Sequence, residues 1–279
     1  MHLKLSNITL KTILCAAVVL VTAGSVAAAD EEAVLAQKNG CLACHQGVKQ
    51  SNGPPYREVA AKYAGNTNAE NILVEHILKG TGPAGQGWMK AGKASLPFMP
   101  ANVNIAPQEA RKLAKWVLAT TEEIPDVSRL FVTESVSVTG SVENKLTLNV
   151  AELRKFPTQQ VGETPLVCQS GADKGKIENY KGVLLRAILE KAAIAAPGHN
   201  DVKKMAIIAT ASDGYKAVFS WNEIFNTQVG DGILVFFEKN GLPLGDNDGR
   251  IAMVSAKDSR TGPRHVKWLK EIEVRKIAD

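Results

Sequence analysis

The chain lacks most of the features that announce a function at once. It has no internal repeat and no low-complexity tract, which leaves out solenoid and linker-like architectures. No run of basic residues is dense enough to hold nucleic acid. The charge is close to balance: without Lys4 and Lys11, which belong to a leader, 31 basic residues face 28 acidic ones. The apolar run over residues 13–21 is too short to span a membrane comfortably. Cysteine is scarce, at four in 279 residues, so each one needs a role.

Residues 1–29 have the form of a secretory signal peptide. Lys4 and Lys11 make a basic start, the apolar run follows, and Ala27-Ala28-Ala29 offers a small-residue cleavage site before Asp30. An uncleaved N-terminal anchor is the alternative. Cys15 follows Thr12-Ile13-Leu14, which lacks the small residues of a lipoprotein site, so it leaves with the leader. The mature chain is expected to be a soluble periplasmic protein. Its length, about 250 residues, exceeds what one small core needs and points to two domains.

What the chain does have is Cys41-Leu42-Ala43-Cys44-His45. Two thiols on one helical turn can add to the two vinyl groups of a porphyrin, and the next residue then lies beneath the iron as an axial ligand. Haem c is attached outside the cytoplasm, so the leader and this motif support each other. Cys168 is left over. Without a partner for an internal disulfide in an oxidising compartment, it is a buried thiol, a reactive one or a metal ligand.

Residues 30–123 read as helical. Residues 31–38 suit a helix that leads into the motif, and Asn52-Gly53-Pro54-Pro55 then breaks the chain. A short helix is expected over 56–63 and a clearer one over 69–79. The second has Asn68 as N-cap, Ile72, Leu73, His76 and Ile77 at helical spacing, and Gly80 as its stop. Residues 81–95 read as a loop, and Pro107 opens a last helix with Leu113, Trp116 and Val117 on one face. The second iron ligand must come from a rigid segment. Met99 lies between Pro97 and Pro100, which restrict the backbone around it. A thioether there raises the reduction potential and closes the sixth position, favouring electron transfer over oxygen chemistry. Met89, in the Gly-rich loop, is the rival. His76 reads as a packed helix side chain, and a gap-filling core role is the plain alternative for Met99.

These pieces resemble a small class I cytochrome c of the bacterial monohaem type. The matching stretches are Cys-Leu-Ala-Cys-His at 41–45, Gly-Pro-Pro-Tyr at 53–56, Phe-Met-Pro-Ala-Asn at 98–102 and Ala-Arg-Lys-Leu-Ala-Lys-Trp-Val-Leu at 110–118. The resemblance implies one haem c, attached through Cys41 and Cys44, with His45 and Met99 on the iron. It also implies that the Pro54 carbonyl holds the proximal histidine ring. Trp88, in a loop longer than the family's, matches a tryptophan near a haem propionate.

After a linker at 124–130, residues 131–279 turn strand-rich. Strands are expected at 131–138, 145–150, 165–168, 206–210, 215–220, 233–238, 251–255 and 266–275. Helices are expected at 151–156 and 182–193, with turns at Ser212-Asp213-Gly214 and Lys239-Asn240-Gly241. This half resembles a compact form of the molybdopterin-binding domain of the sulfite oxidase family. The resemblance rests on Val167-Cys168 before a turn, Tyr-Lys-Gly-Val-Leu-Leu at 180–185, Ala-Ser-Asp-Gly-Tyr at 211–215, Asn-Gly-Leu-Pro-Leu at 240–244 and His-Val-Lys-Trp-Leu at 265–269. It implies that Cys168 ligates molybdenum. The chain departs from the family after that cysteine, where Gln169-Ser170-Gly171-Ala172-Asp173 replaces a segment rich in Asn and Arg. The upstream half that supplies many pterin contacts has no room before Phe131. Arg250, Arg260, Arg264, His265 and Lys267 are the candidate donors to a pterin pyrophosphate.

The expected fold class is therefore multidomain: an all-α cytochrome c domain, then a β-rich α+β domain. The expected function is a periplasmic carrier of single electrons to or from a redox protein partner, with the second module docking that partner or orienting the haem. The alternative is a molybdenum-dependent, sulfite-oxidase-like oxidoreductase that passes electrons internally to haem c.

Overall fold

The computed structural model describes residues 23–277 apart from positions 170, 172 and 199. Most of the expected signal peptide, residues 1–22, lies outside the described residues. The first helix, α1 (Ala23–Lys38), runs unbroken through the expected cleavage site. No helix among the described residues is long and apolar enough to cross a membrane.

Four more helices complete the first half: α2 (Tyr56–Lys62), α3 (Ala69–Lys79), α4 (Gln86–Lys90) and α5 (Pro107–Ala119). The apolar stripe of α3 meets that of α5, so Leu73 and Ile77 are buried with Ala110, Leu113, Ala114 and Val117. Tyr56 and Val59 of α2 and Ala36 of α1 close this core. Asn68 sits at the N-cap of α3 but does not cap it; its Oδ1 accepts from Asn71 Nδ2 at 2.8 Å instead. Gly80 ends the helix at φ 78°, and a Cβ there would meet the Met99 carbonyl at 2.6 Å. Residues 81–95 are not a loop throughout. A 3-10 turn, Gly82–Gly85, leads into α4, because Gly85 is buried against the backbone of Pro97 and Phe98 and holds the segment in place. Tertiary contact, not local propensity, makes a helix this short.

The second half contains two sheets. Its strands are β1 (Ser135–Gly140), β2 (Leu146–Asn149), β3 (Thr158–Val167), β4 (Asp173–Leu184), β5 (Met205–Ala211), β6 (Lys216–Ser220), β7 (Ile233–Lys239), β8 (Leu242–Pro243), β9 (Ala252–Ser255), β10 (His265–Val266) and β11 (Leu269–Lys276). One sheet has the order β2-β1-β11-β5-β6, with β1 and β11 parallel; the other runs β10-β9-β7-β4-β3, with β8 added on β7. The main core lies between the sheets, where Ile233, Val235 and Phe237 pack with Ile207, Phe219 and Ile272. Leu234 and Phe236, pointing the other way, join Ile177, Tyr180 and Leu244 in a second cluster. A strand buried on both faces explains why β7 reads as a continuous apolar run.

Helices α6 (Val150–Leu153), α7 (Leu185–Ala192) and α8 (Trp221–Asn226) fill the connections. Four expectations need correction. Residues 182–184 are strand, not helix: they end β4 and pair with Phe236, Val235 and Leu234. A Cβ on Gly182 would meet the Phe236 Cα at 2.6 Å, so glycine permits that pairing. The short buried strand expected at 165–168 is the end of β3, a strand mostly exposed along its length, and Cys168 lies just past it, only partly buried. The strand expected from 131 starts at Ser135, after a 3-10 turn at Ser128–Phe131. The strand expected over 266–275 breaks at Trp268, which takes φ 48°. Its NH donates to the Asp248 carbonyl at 2.8 Å and its Nε1 to the Asp246 carbonyl at 2.6 Å, which hold a conformation bulky residues avoid.

The two halves meet along one seam. Ala33 of α1 is buried with Val127, Phe131 and Trp268, and Trp116 of α5 packs against the same group. Polar contacts flank it: Gln37 Nε2 donates to Asp213 Oδ2 at 3.2 Å, and Lys174 Nζ donates to the Ala43 carbonyl at 3.0 Å.

Candidate functional site

Gly40, at φ 70°, turns the chain from α1 into the 3-10 turn Cys41–Ala43. This turn puts both Cys41 and Cys44 on the wall of a largely apolar cleft. His45 follows on the same wall and is buried. Its Nδ1 lies 2.8 Å from the Pro54 carbonyl oxygen, so it is the protonated nitrogen and leaves Nε2 bare for a metal. Burial lowers the imidazole pKa below its ordinary value, with the Pro54 bond opposing, so the ring is neutral as ligation requires. Tyr56 stacks on the ring at 4.9 Å. A Cβ on Gly53 would lie 2.6 Å from His45 Cε1, so this position must be glycine for the ring to stand where it does.

Met99 lines the same cleft. Thr81 pins it at both ends of its peptide unit: Met99 NH donates to Thr81 Oγ1 at 2.8 Å, and Thr81 NH donates to the Met99 carbonyl at 3.0 Å. Met89, its rival from the sequence, is 40% exposed and does not line the cleft. Trp88 does line it, with Lys62 Nζ 4.6 Å from its ring centre. His76 also reaches the wall, half-buried.

Three residues of the site were not singled out from the sequence. Tyr56 stood only as part of a matching stretch. Gly53 stood as a chain breaker. Asn52 lines the cleft with its Nδ2 buried and, among the described residues, without a partner. An orphaned donor, two thiols on one turn and a bare imidazole nitrogen together fit a haem with its anionic edge groups.

Cys168 lies near this site. Burial raises the Cys44 pKa above its ordinary value; the Lys174 ammonium opposes the rise and Cys168 adds to it. The thiol left over in the sequence therefore lies close enough to Cys44 to act on its charge. The proposed pterin donors fit their role poorly. Arg264 is bound to Asp258 at 2.5 Å and to Glu223 at 2.8 Å. Arg250 pairs with Asp246 at 3.0 Å and Lys267 with Asp248 at 3.2 Å. His265 stacks on Phe236, and burial holds its imidazole pKa down at about 4. Arg260 is exposed, close over Gly171. A pyrophosphate would have to displace carboxylates from three of these five side chains.

Comparison with known proteins agrees with this division. The model of the cytochrome c family matches residues 32–121, and that of the oxidoreductase molybdopterin binding domain matches residues 124–278. Cytochrome c2 of Rhodocyclus tenuis is 49% identical over 90 residues, which are 32% of this chain and 91% of that protein. Cytochrome c-551 of Pseudomonas aeruginosa is 40% identical over 92 residues, covering 33% of this chain and 78% of its own. Among solved structures, the sulfane dehydrogenase SoxCD of Paracoccus pantotrophus aligns with 51% of this chain and 38% of its own at 19% identity, with a TM-score of 0.41. The first half is a helical cytochrome c domain, which implies haem c, and the strand-rich remainder, more than half the chain, is matched by the second family's model. The chain belongs to the oxidoreductase molybdopterin binding domain family, with a cytochrome c domain at its N-terminal side.

Proposed function

We propose that the chain is an exported, periplasmic carrier of single electrons, comprising a signal peptide at 1–29, a haem domain at 30–123, a linker at 124–130 and a docking module at 131–279. Haem c, when bound, supplies a one-electron couple. The protein's own residues do the rest. Cys41 and Cys44 would tether the group, His45 and Met99 would ligate its iron, and Trp88 and Asn52 would meet its polar edge. The Pro54 carbonyl fixes the His45 tautomer, and Thr81 keeps Met99 from swinging away. With two ligands supplied from rigid segments, the site would favour electron transfer over binding of small gases.

The observation that carries this reading is the pair of anchored ligands on one cleft: His45 tied to Pro54 at 2.8 Å and Met99 tied to Thr81 at 2.8 Å. A redox protein partner would exchange electrons at the cleft rim, where Phe98 is 52% exposed beside Met99. The test is a redox titration of protein purified from the periplasm. A single reversible one-electron couple with slow carbon monoxide binding is expected; rapid carbon monoxide binding by the reduced protein would point to a haem sensor.

A second reading is favoured by one observation, the family match over residues 124–278. It makes the chain a molybdenum-dependent oxidoreductase of sulfite-oxidase type. Elemental analysis of protein from a molybdenum-replete host decides between them. Negligible molybdenum supports the carrier, and stoichiometric molybdenum supports the enzyme.

A further inference from the structure

We propose that Lys174 is a charge supplied by the strand-rich half to the haem site, where it raises the reduction potential and makes docking of the β3–β4 tip depend on the oxidation state of the iron. The inference rests on the haem reading above. Lys174 is half-buried and donates 3.0 Å to the carbonyl of Ala43, the residue immediately before Cys44 and two before His45. That carbonyl closes the 3-10 turn Cys41–Ala43, an end that attracts cations. Lys174 makes no ion pair among the described residues, whereas Lys176, two positions on, is bound to Glu163 and Glu178 at 2.7 Å each. The charge at Ala43 is therefore not cancelled by a carboxylate partner.

The described residues around it are well held. Val167 pairs with Asp173, Gly171 NH donates to the Cys168 carbonyl at 2.9 Å, and Asp173 Oδ1 accepts from Gly175 NH at 2.8 Å. Thr261 Oγ1 accepts from Val167 NH at 3.0 Å, anchoring the end of β3. A ferric site carries one more positive charge than a ferrous one, so a fixed cation nearby disfavours oxidation. Linkage makes the effect reciprocal: the factor by which Lys174 favours reduction is the factor by which reduction favours docking of the tip. A lysine that only tied off a carbonyl would give neither effect.

The test compares full-length holoprotein with Lys174→Arg, Lys174→Gln and Lys174→Glu by potentiometric titration at low and high salt. At an ambient potential near the wild-type midpoint, Lys174→Gln should lower the reduced-to-oxidised ratio about two- to tenfold. Lys174→Glu should lower it further, Lys174→Arg should stay near wild type, and salt should shrink the differences. Amide exchange over residues 168–175 should be slower in the ferrous than in the ferric wild type, and Lys174→Gln should erase that difference. Wild-type potentials in both the Gln and Glu variants, with the methionine–iron absorbance intact, would overturn the proposal. If that absorbance is missing from the wild type itself, the haem-ligand reading beneath has failed, and the proposal falls with it.

Discussion

The rings of His45 and Tyr56 stack with centroids 4.9 Å apart and planes 16° from parallel. Tyr56 in turn meets the edge of Trp116 at 5.6 Å, so the His45 ring leans on a side chain that packs against the α5 core. Tyr56→Ala removes both contacts and leaves a cavity, at an expected cost of about 3–5 kcal/mol. Tyr56→Phe keeps the stack and should cost only about 1 kcal/mol. Denaturant melts of the two holoproteins measure the difference.

Gly53→Ala is expected to act on the ligand directly. The added methyl would stand 2.6 Å from His45 Cε1 and 2.9 Å from Nδ1, with the Cys44 carbonyl behind it at 3.1 Å. The ring must tilt and lose its bond to Pro54, a change in the outer shell that typically weakens metal affinity about 10- to 100-fold. Haem content per chain after expression, and its retention in mild denaturant, should both fall. The neighbouring Gly65→Ala, where nothing lies within 4 Å but φ is 77°, controls for backbone strain alone.

His265 should make the strand-rich half sensitive to acid. Burial lowers its pKa from 6.5 to about 4, so the folded state binds fewer protons than the unfolded state between those values. Its contribution is fully present above about pH 6.5 and is lost as pH falls toward 4, with a slope of at most about 1.4 kcal/mol per pH unit. His265→Phe, which keeps the stack on Phe236, should flatten that slope in denaturant midpoints recorded from pH 7 to 4.5.

Trp268 joins the halves, and its loss should uncouple them. Trp268→Ala removes the ring that packs on Phe131 at 5.6 Å and against Ala33, at a cost of about 3–5 kcal/mol. Calorimetry should show one transition in the wild type and two in the variant, with the haem absorbance following only one of them.

Much of the helical half was legible because its punctuation is local. Asn68 and Gly80 bracket α3, whose bounds, Ala69–Lys79, are those read from the sequence. Cys41 to His45 declared itself because covalent attachment needs that spacing and those residue types. The errors fall where distant contacts decide. Residues 182–184 look helical until the pairing with β7 claims them, and α4 forms only because Gly85 packs on a segment beyond it. The capping box of Ser220 and Glu223 is a local sequence signal for the start of α8. Cys168 is the sharpest case. Nothing in its sequence neighbourhood says that the end of β3 brings it close enough to Cys44 to act on that thiol's charge.

The central claim is that His45 and Met99 hold one haem between them. Met99→Ala is the direct measurement, read as the methionine–iron charge-transfer absorbance of the oxidised protein together with its midpoint potential. The band should vanish and the potential fall, because the soft ligand that favours the reduced iron has gone. Survival of the band in Met99→Ala, at an unchanged potential, would contradict the account and move the sixth ligand elsewhere, with Met89 the next to change.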